Sequence, residues 1–132
     1  MKKLLPILAA AAAALPLSAA PAERLSPEAK IEKALKGRVA GEPVDCINIR
    51  DVRSSQIVND TAILYDTGNV IYVNRPAGSE SLDQWDVLVT KLHNSRLCSR
   101  DVVELYDPSA RMQSGFVFLG EFVPYRKAAA AK

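Results

Sequence analysis

Apolar positions in this chain mostly alternate or run unbroken, and in two places, residues 26–37 and 82–92, they fall three and four apart. The densest stretch covers residues 46–76. Residues 61–65 and 70–73 are two runs of β-branched, aromatic and aliphatic side chains, which predict strands. Between them Asp66-Thr67-Gly68-Asn69 reads as a four-residue turn, with Gly68 and Asn69 tolerant of positive φ. Pairing Tyr65 with Val70 sets Ile63 opposite Tyr72 on one face and Leu64 opposite Ile71 on the other. Both faces are then apolar, so the hairpin must be covered twice or rolled into a barrel. Pro76 ends it, having no N–H to continue a ladder. Cys46-Ile47-Asn48-Ile49 alternates, and Gln56-Ile57-Val58-Asn59 does so more weakly; each predicts a short strand.

The first helical spacing lies at residues 26–37. Ser26 is placed to cap, Pro27 suits the first helical position, and Glu28 favours the positive end of the dipole. Ile31, Ala34 and Leu35 form a narrow apolar stripe opposite an i, i+4 pair, Glu32 and Lys36, and Gly37 terminates. Residues 39–43 read as a linker. Further on, Leu82, Trp85, Val89 and Leu92 fit a helical stripe, while Val87-Leu88-Val89-Thr90 alone favours a strand. The three β-branched residues weigh against a helix, leaving a short helix or turn at residues 81–86. Asn94-Ser95 is a turn. Residues 101–106 predict a strand ended by Asp107-Pro108-Ser109, and residues 115–123 a last strand finishing at Pro124.

The first 22 residues change what the composition means. Lys2 and Lys3 precede an apolar, alanine-rich run at residues 4–17 and then Ser18-Ala19-Ala20-Pro21-Ala22, the order of a secretory signal cleaved before Glu23, in preference to cleavage after Ala20, which would leave Pro21 leading the mature chain. The apolar run is short for a membrane span. No cysteine follows it to carry a lipid, so no membrane anchor is expected after cleavage. The whole chain has 17 Lys+Arg against 15 Asp+Glu, and losing Lys2 and Lys3 leaves 15 against 15. Without a cationic surplus, binding to nucleic acid or an anionic membrane lacks its driving force. The organisation predicted is a signal peptide at 1–22, a helix and linker at 23–43, a β-rich domain at 44–125, and a disordered basic tail at 126–132.

Chemistry is sparse. His93, the sole histidine, has Ser95 and Asp101 near it in sequence, but its flanks suggest a surface loop. One histidine and two cysteines cannot supply four zinc ligands, and no glycine-rich phosphate loop is present, so no metal or other cofactor is expected. The polar residues set among the strands are Asn48, Arg50, Arg53, Asp60, Asn74, Arg75 and Asp101. They are candidates for a cleft taking an anionic or sugar-like ligand. The plainer account is that they pair internally, as Asp45 with Arg50 or Asp60 with Arg75. Tyr65, Tyr72, Trp85, Tyr106, Phe116, Phe118, Phe122 and Tyr125 are read as core rather than as a stacking platform.

Four patches together resemble a family of small secreted proteins of Gram-negative bacteria defined by a domain of unknown function. They are Asp45-Cys46-Ile47-Asn48-Ile49-Arg50, Val73-Asn74-Arg75-Pro76, Leu97-Cys98-Ser99-Arg100-Asp101 and Leu119-Gly120-Glu121-Phe122-Val123-Pro124-Tyr125. The resemblance spans residues 41–125 and implies no activity or cofactor. It does imply four cysteines, the second near Ser79 or Glu80 and the fourth near Phe116 or Val117. Both are missing here, which leaves Cys46 and Cys98 as the remaining pair. The residues alone agree, since two cysteines in an exported chain favour a bridge. Closing a loop of about 50 residues is worth about 4 kcal/mol.

The reading is therefore a mainly β protein: a small, partly open antiparallel barrel of five or six strands with one N-terminal helix. It is expected in the periplasm or secreted, more as a non-catalytic binding or structural module than as an enzyme. The envelope protein or small polar ligand it would meet, and its oligomeric state, are not specified. The alternative is a small hydrolase-like enzyme using an Asp/Arg cleft.

Overall fold

The computed structural model describes residues 13–16 and 24–129. Most of the expected leader, the cleavage point before Glu23 and the last three residues of the tail lie outside the described residues. The fold is mainly β, with one α-helix and antiparallel strands in three sheets, none closed into a barrel. The described strands number ten rather than five or six, because they are short and shared among those sheets.

The helix α1 (Pro27–Ala34) forms as its sequence dictates: Pro27 opens it and Ser26 Oγ accepts the Ala29 N–H at 3.2 Å. Gly37 follows in the left-handed region at φ 77°. The next residues, expected as linker, form β1 (Arg38–Ala40). Then come β2 (Cys46–Asn48), a 3-10 turn at Ile49–Asp51, β3 (Ser54–Val58), β4 (Ala62–Asp66) and β5 (Val70–Asn74). A second 3-10 turn, Ser79–Ser81, leads to β6 (Val87–Thr90), so the expected turn before residue 87 and the strand within 87–90 are both present. The chain ends with β7 (Arg96–Cys98), β8 (Val102–Asp107), β9 (Met112–Phe118) and β10 (Phe122–Lys127). Residues 115–123 are therefore not one strand, and Arg126 and Lys127, expected in the disordered tail, belong to β10.

The five-stranded sheet has the order β1-β10-β5-β4-β3. Pro124 sits inside β10, next to β1, yet breaks no ladder. Its carbonyl accepts the Gly41 N–H at 2.7 Å where the chain leaves β1, so its missing N–H faces the place where that strand has ended. The central hairpin is shifted two residues from the expected register: Tyr65 pairs with Tyr72 and Leu64 with Val73. A tighter turn causes the shift. Thr67 N–H donates to the Val70 carbonyl at 2.9 Å, and Asp66 Oδ1 accepts the Gly68 N–H at 2.7 Å. Gly68 takes φ 94°, and a Cβ there would meet the Arg53 guanidinium at 2.8 Å.

Both faces of this sheet are covered, as their apolar character requires. On one, Val58, Ala62, Leu64, Ile71 and Val73 pack against Ile31 of α1; burying Ile31 contributes about 2 kcal/mol. On the other, Ile57, Ile63, Tyr65 and Phe122 meet Ile47, Leu97, Val103, Leu105 and Val117 from the two smaller sheets, β2-β7 and β6-β8-β9.

Cys46 and Cys98 are bridged and directly opposite in the β2–β7 pair, with Cα atoms 4.0 Å apart. Ser99 N–H donates to the Asp45 carbonyl and Ile49 N–H to that of Ser95. The cysteines thus occupy a non-hydrogen-bonded position, where antiparallel Cα atoms approach most closely. Residues 79–80 and 116–117, where the resemblance puts the further cysteines, lie in elements that also meet. A Cβ on Gly115 would stand 3.4 Å from that of Ser81.

Candidate functional site

The seven polar residues singled out from the sequence are dispersed. Asn48 Oδ1 accepts the Arg50 N–H at 3.1 Å and so caps the first 3-10 turn. The Arg53 side chain lies over Gly68 in the hairpin turn. Asp60 occupies the β3–β4 turn at φ 56°. Asn74 is wholly buried and exchanges two hydrogen bonds with Gly120, donating to its carbonyl at 2.7 Å and accepting its N–H at 2.9 Å. Arg75 pairs with Glu28 of α1 through both nitrogens, at 2.8 and 3.1 Å, not with Asp60. This contact holds the Glu28 carboxyl below the ordinary carboxylate range and raises Arg75, chiefly through the shared hydrogen bond. Asp101 accepts the Cys98 N–H at 2.7 Å. Asp45 bonds the Ser99 hydroxyl rather than Arg50. Among the described residues, Glu32 and Lys36 form no ion pair.

His93 is exposed in a cleft of about 260 Å³ with Lys91, Asp101 and Glu104. Lys91 pairs with Glu104 at 3.2 Å, and His93 makes no hydrogen bond to either acid. Asp45, Cys46 and Cys98 are the described residues whose potential ligand atoms cluster, but the disulfide consumes both thiolates.

Sequence reasoning missed the outer face of the three-stranded sheet. Val103, Leu105 and Val117 point into the core, so the alternation along β8 and β9 turns Val102, Tyr106, Phe116 and Phe118 outward. Val87 and Val89 of β6 join them, since Val87 pairs with Tyr106 and Val89 with Glu104. Phe116 is 51 % exposed and Phe118 47 %, with their rings edge to face at 5.6 Å. Trp85, 76 % exposed, stands just before β6. Of the eight aromatics assigned to the core, these four are partly or largely in solvent. Phe116-Val117-Phe118 is apolar on both faces, and a period of two cannot say which face is covered.

A second feature adjoins this face. The edge strands β3 and β6 border a cleft of about 530 Å³ lined by Ser55, Gln56, Ile57 and residues 84–88. It is the open seam between the largest sheet and the three-stranded one. No helix of the described residues is long and apolar enough to cross a membrane. Compared with known proteins, the chain matches no family model, no curated protein and no solved structure.

Proposed function

We propose that this chain is an exported, non-catalytic binding module that docks a protein partner of the periplasm or envelope on the outer face of its three-stranded sheet. The observation that carries this reading is the apolar face itself. Six side chains from three strands, two of them phenylalanines, surround the single ion pair of Glu104 and Lys91. Contiguous exposed apolar surface of this kind marks interaction sites, and aromatic side chains are enriched in their centres. An enzyme would bring its acids and cations together in one concave site with a free acid or base; here Asp101 lines the His93 cleft but its carboxylate already accepts the Cys98 N–H, and the other Asp and Arg candidates lie in turns or in the contact with α1. Export is supported by the leader-like first 22 residues, by the disulfide, and by the resemblance to secreted Gram-negative proteins.

The experiment places a photo-crosslinking residue at Phe116 and, as a control, at Glu32 on α1, in cells that export the protein. A discrete adduct from position 116 that is absent from position 32 is the expected result. Phe116→Ser with Phe118→Ser should abolish capture by a crosslinker at Val102 while leaving the urea midpoint little changed. Equal adducts from both faces would overturn the reading.

A further inference from the structure

The seam beside this face has a chemistry of its own, independent of the docking surface just proposed. The Thr67–Val70 hydrogen bond fixes which residues of β4 point toward β5, and hence which residues of β3 bond β4: Ser54, Gln56 and Val58. The N–H and C=O groups of Ser55 and Ile57 therefore point away from the sheet. In the three-stranded sheet, Leu119 N–H donates to the Asp101 carbonyl, which turns Val102, Glu104 and Tyr106 toward β6. Val87 and Val89 are engaged, while Leu88 and Thr90 present their backbone groups outward. None of these four outward residues enters a turn or loop backbone hydrogen bond among the described residues.

Exposed edges are normally guarded by lysine, proline or a covering element. The residues of β3, Ser-Ser-Gln-Ile-Val, and of β6, Val-Leu-Val-Thr, include none of these guards and no charge. Two unguarded edges therefore border one cleft. Past Gln56 and Gln84 the cleft runs on into a second hollow of about 490 Å³, lined by Leu25, Lys30, Lys33 and Ala34 of the helix side. Lys30 Nζ donates to Gln84 Oε1 at 3.2 Å, and Lys33 is exposed.

We infer that the seam between β3 and β6 binds an extended segment of another polypeptide by strand addition, with an acidic residue where that segment passes Lys30 and Lys33. The backbone of the segment satisfies the outward groups of Ser55 and Ile57, of Leu88 and Thr90, or of both edges. Alternate side chains lie against Ile57 and Leu88. The lysines set its polarity, because the only carboxylate lining the seam, Asp86, lies toward the β6 end and is already bonded by Ser114.

Trp85 is the only tryptophan and lines the seam, so its emission reports occupancy directly. The oxidised protein is titrated with a short synthetic peptide of alternating threonine and valine ending in two aspartates. It is titrated in parallel with the same peptide ending in two lysines, and with an acidic version N-methylated at alternate amides. The expected result is a saturable shift of Trp85 emission by the acidic peptide, weaker binding of the lysine-ended one, and none of the methylated one. Amide exchange should slow at Ser55 and Ile57 or at Leu88 and Thr90. Lys33→Glu should weaken the acidic peptide about fivefold. Unchanged emission at millimolar peptide, protection confined to other strands, or equal affinity for both charged peptides would overturn the inference. So would protection of the same amides by raised protein concentration alone, which would make a second copy the occupant.

Discussion

Asn74 is wholly buried, and its amide satisfies both backbone groups of Gly120, two residues before the last strand. Asn74→Ala leaves a donor and an acceptor unpaired in the interior, and should cost about 2–4 kcal/mol in urea unfolding. Gly120→Ala should cost about 2 kcal/mol in the same measurement, because its Cβ would stand 2.9 Å from the Arg75 carbonyl oxygen. Tyr65 presents the opposite case. Its ring packs on Phe122 at 5.8 Å, but its hydroxyl is buried without a partner, and burial pushes the phenol above its ordinary value of 10. Tyr65→Phe removes that unsatisfied group and should stabilise by about 1 kcal/mol. The sign with pH follows from the raised value. Above pH 10 the unfolded chain releases the proton while the folded chain holds it, so stability falls as pH rises. Urea midpoints between pH 8 and 11 should decline less steeply in the Tyr65→Phe variant than in the parent.

At the scale of elements, the helix and the existence of the hairpin strands were legible in the sequence. The cap at Ser26, Pro27 and Gly37 define the helix without reference to anything distant. The hairpin strands follow from β-branched runs, and the cysteine pair from their number and the expected compartment. Tertiary contacts decided the rest. Arg38–Ala40 has no strand pattern of its own and becomes β1 only because β10 offers it an edge. The hairpin register is a local exception: a shift of two leaves every side chain on its own face, so the hydrophobic pattern is silent, and the Thr67 and Asp66 side chains choose. Of the candidate polar residues, Arg75 forms an ion pair, but with Glu28 rather than Asp60, since Glu28 reaches it only once α1 has docked. Contact between the second 3-10 turn and β9 carries its own prediction. Ser81→Cys with Gly115→Cys should form a second bridge, visible as a linked pair in non-reducing peptide maps. It should raise stability by up to about 3 kcal/mol by closing a loop of just over 30 residues.

For the whole molecule, the native bridge joins β2 to β7 at a separation of 52 residues, and β3 through β6 all lie inside that loop. Its effect is therefore global: it constrains the unfolded ensemble across both apolar clusters by about 4 kcal/mol. Cys46→Ala and Cys98→Ala should destabilise equally, and the double variant no more than either single, because each removes the same bond. The compartment enters through the same bond. When the full chain is exported, sequencing of the recovered protein should begin at Glu23 and thiol titration should find no free cysteine. The chain started at Glu23 and made in a reducing cytosol should carry two free thiols, with a urea midpoint lowered to that of Cys46→Ala. Adding an oxidant to that protein should restore the midpoint without refolding from denaturant, since the paired cysteines already face each other across the strands. Intact Met1 in the exported fraction, or equal midpoints for the reduced and oxidised forms, would sever the link between compartment and stability.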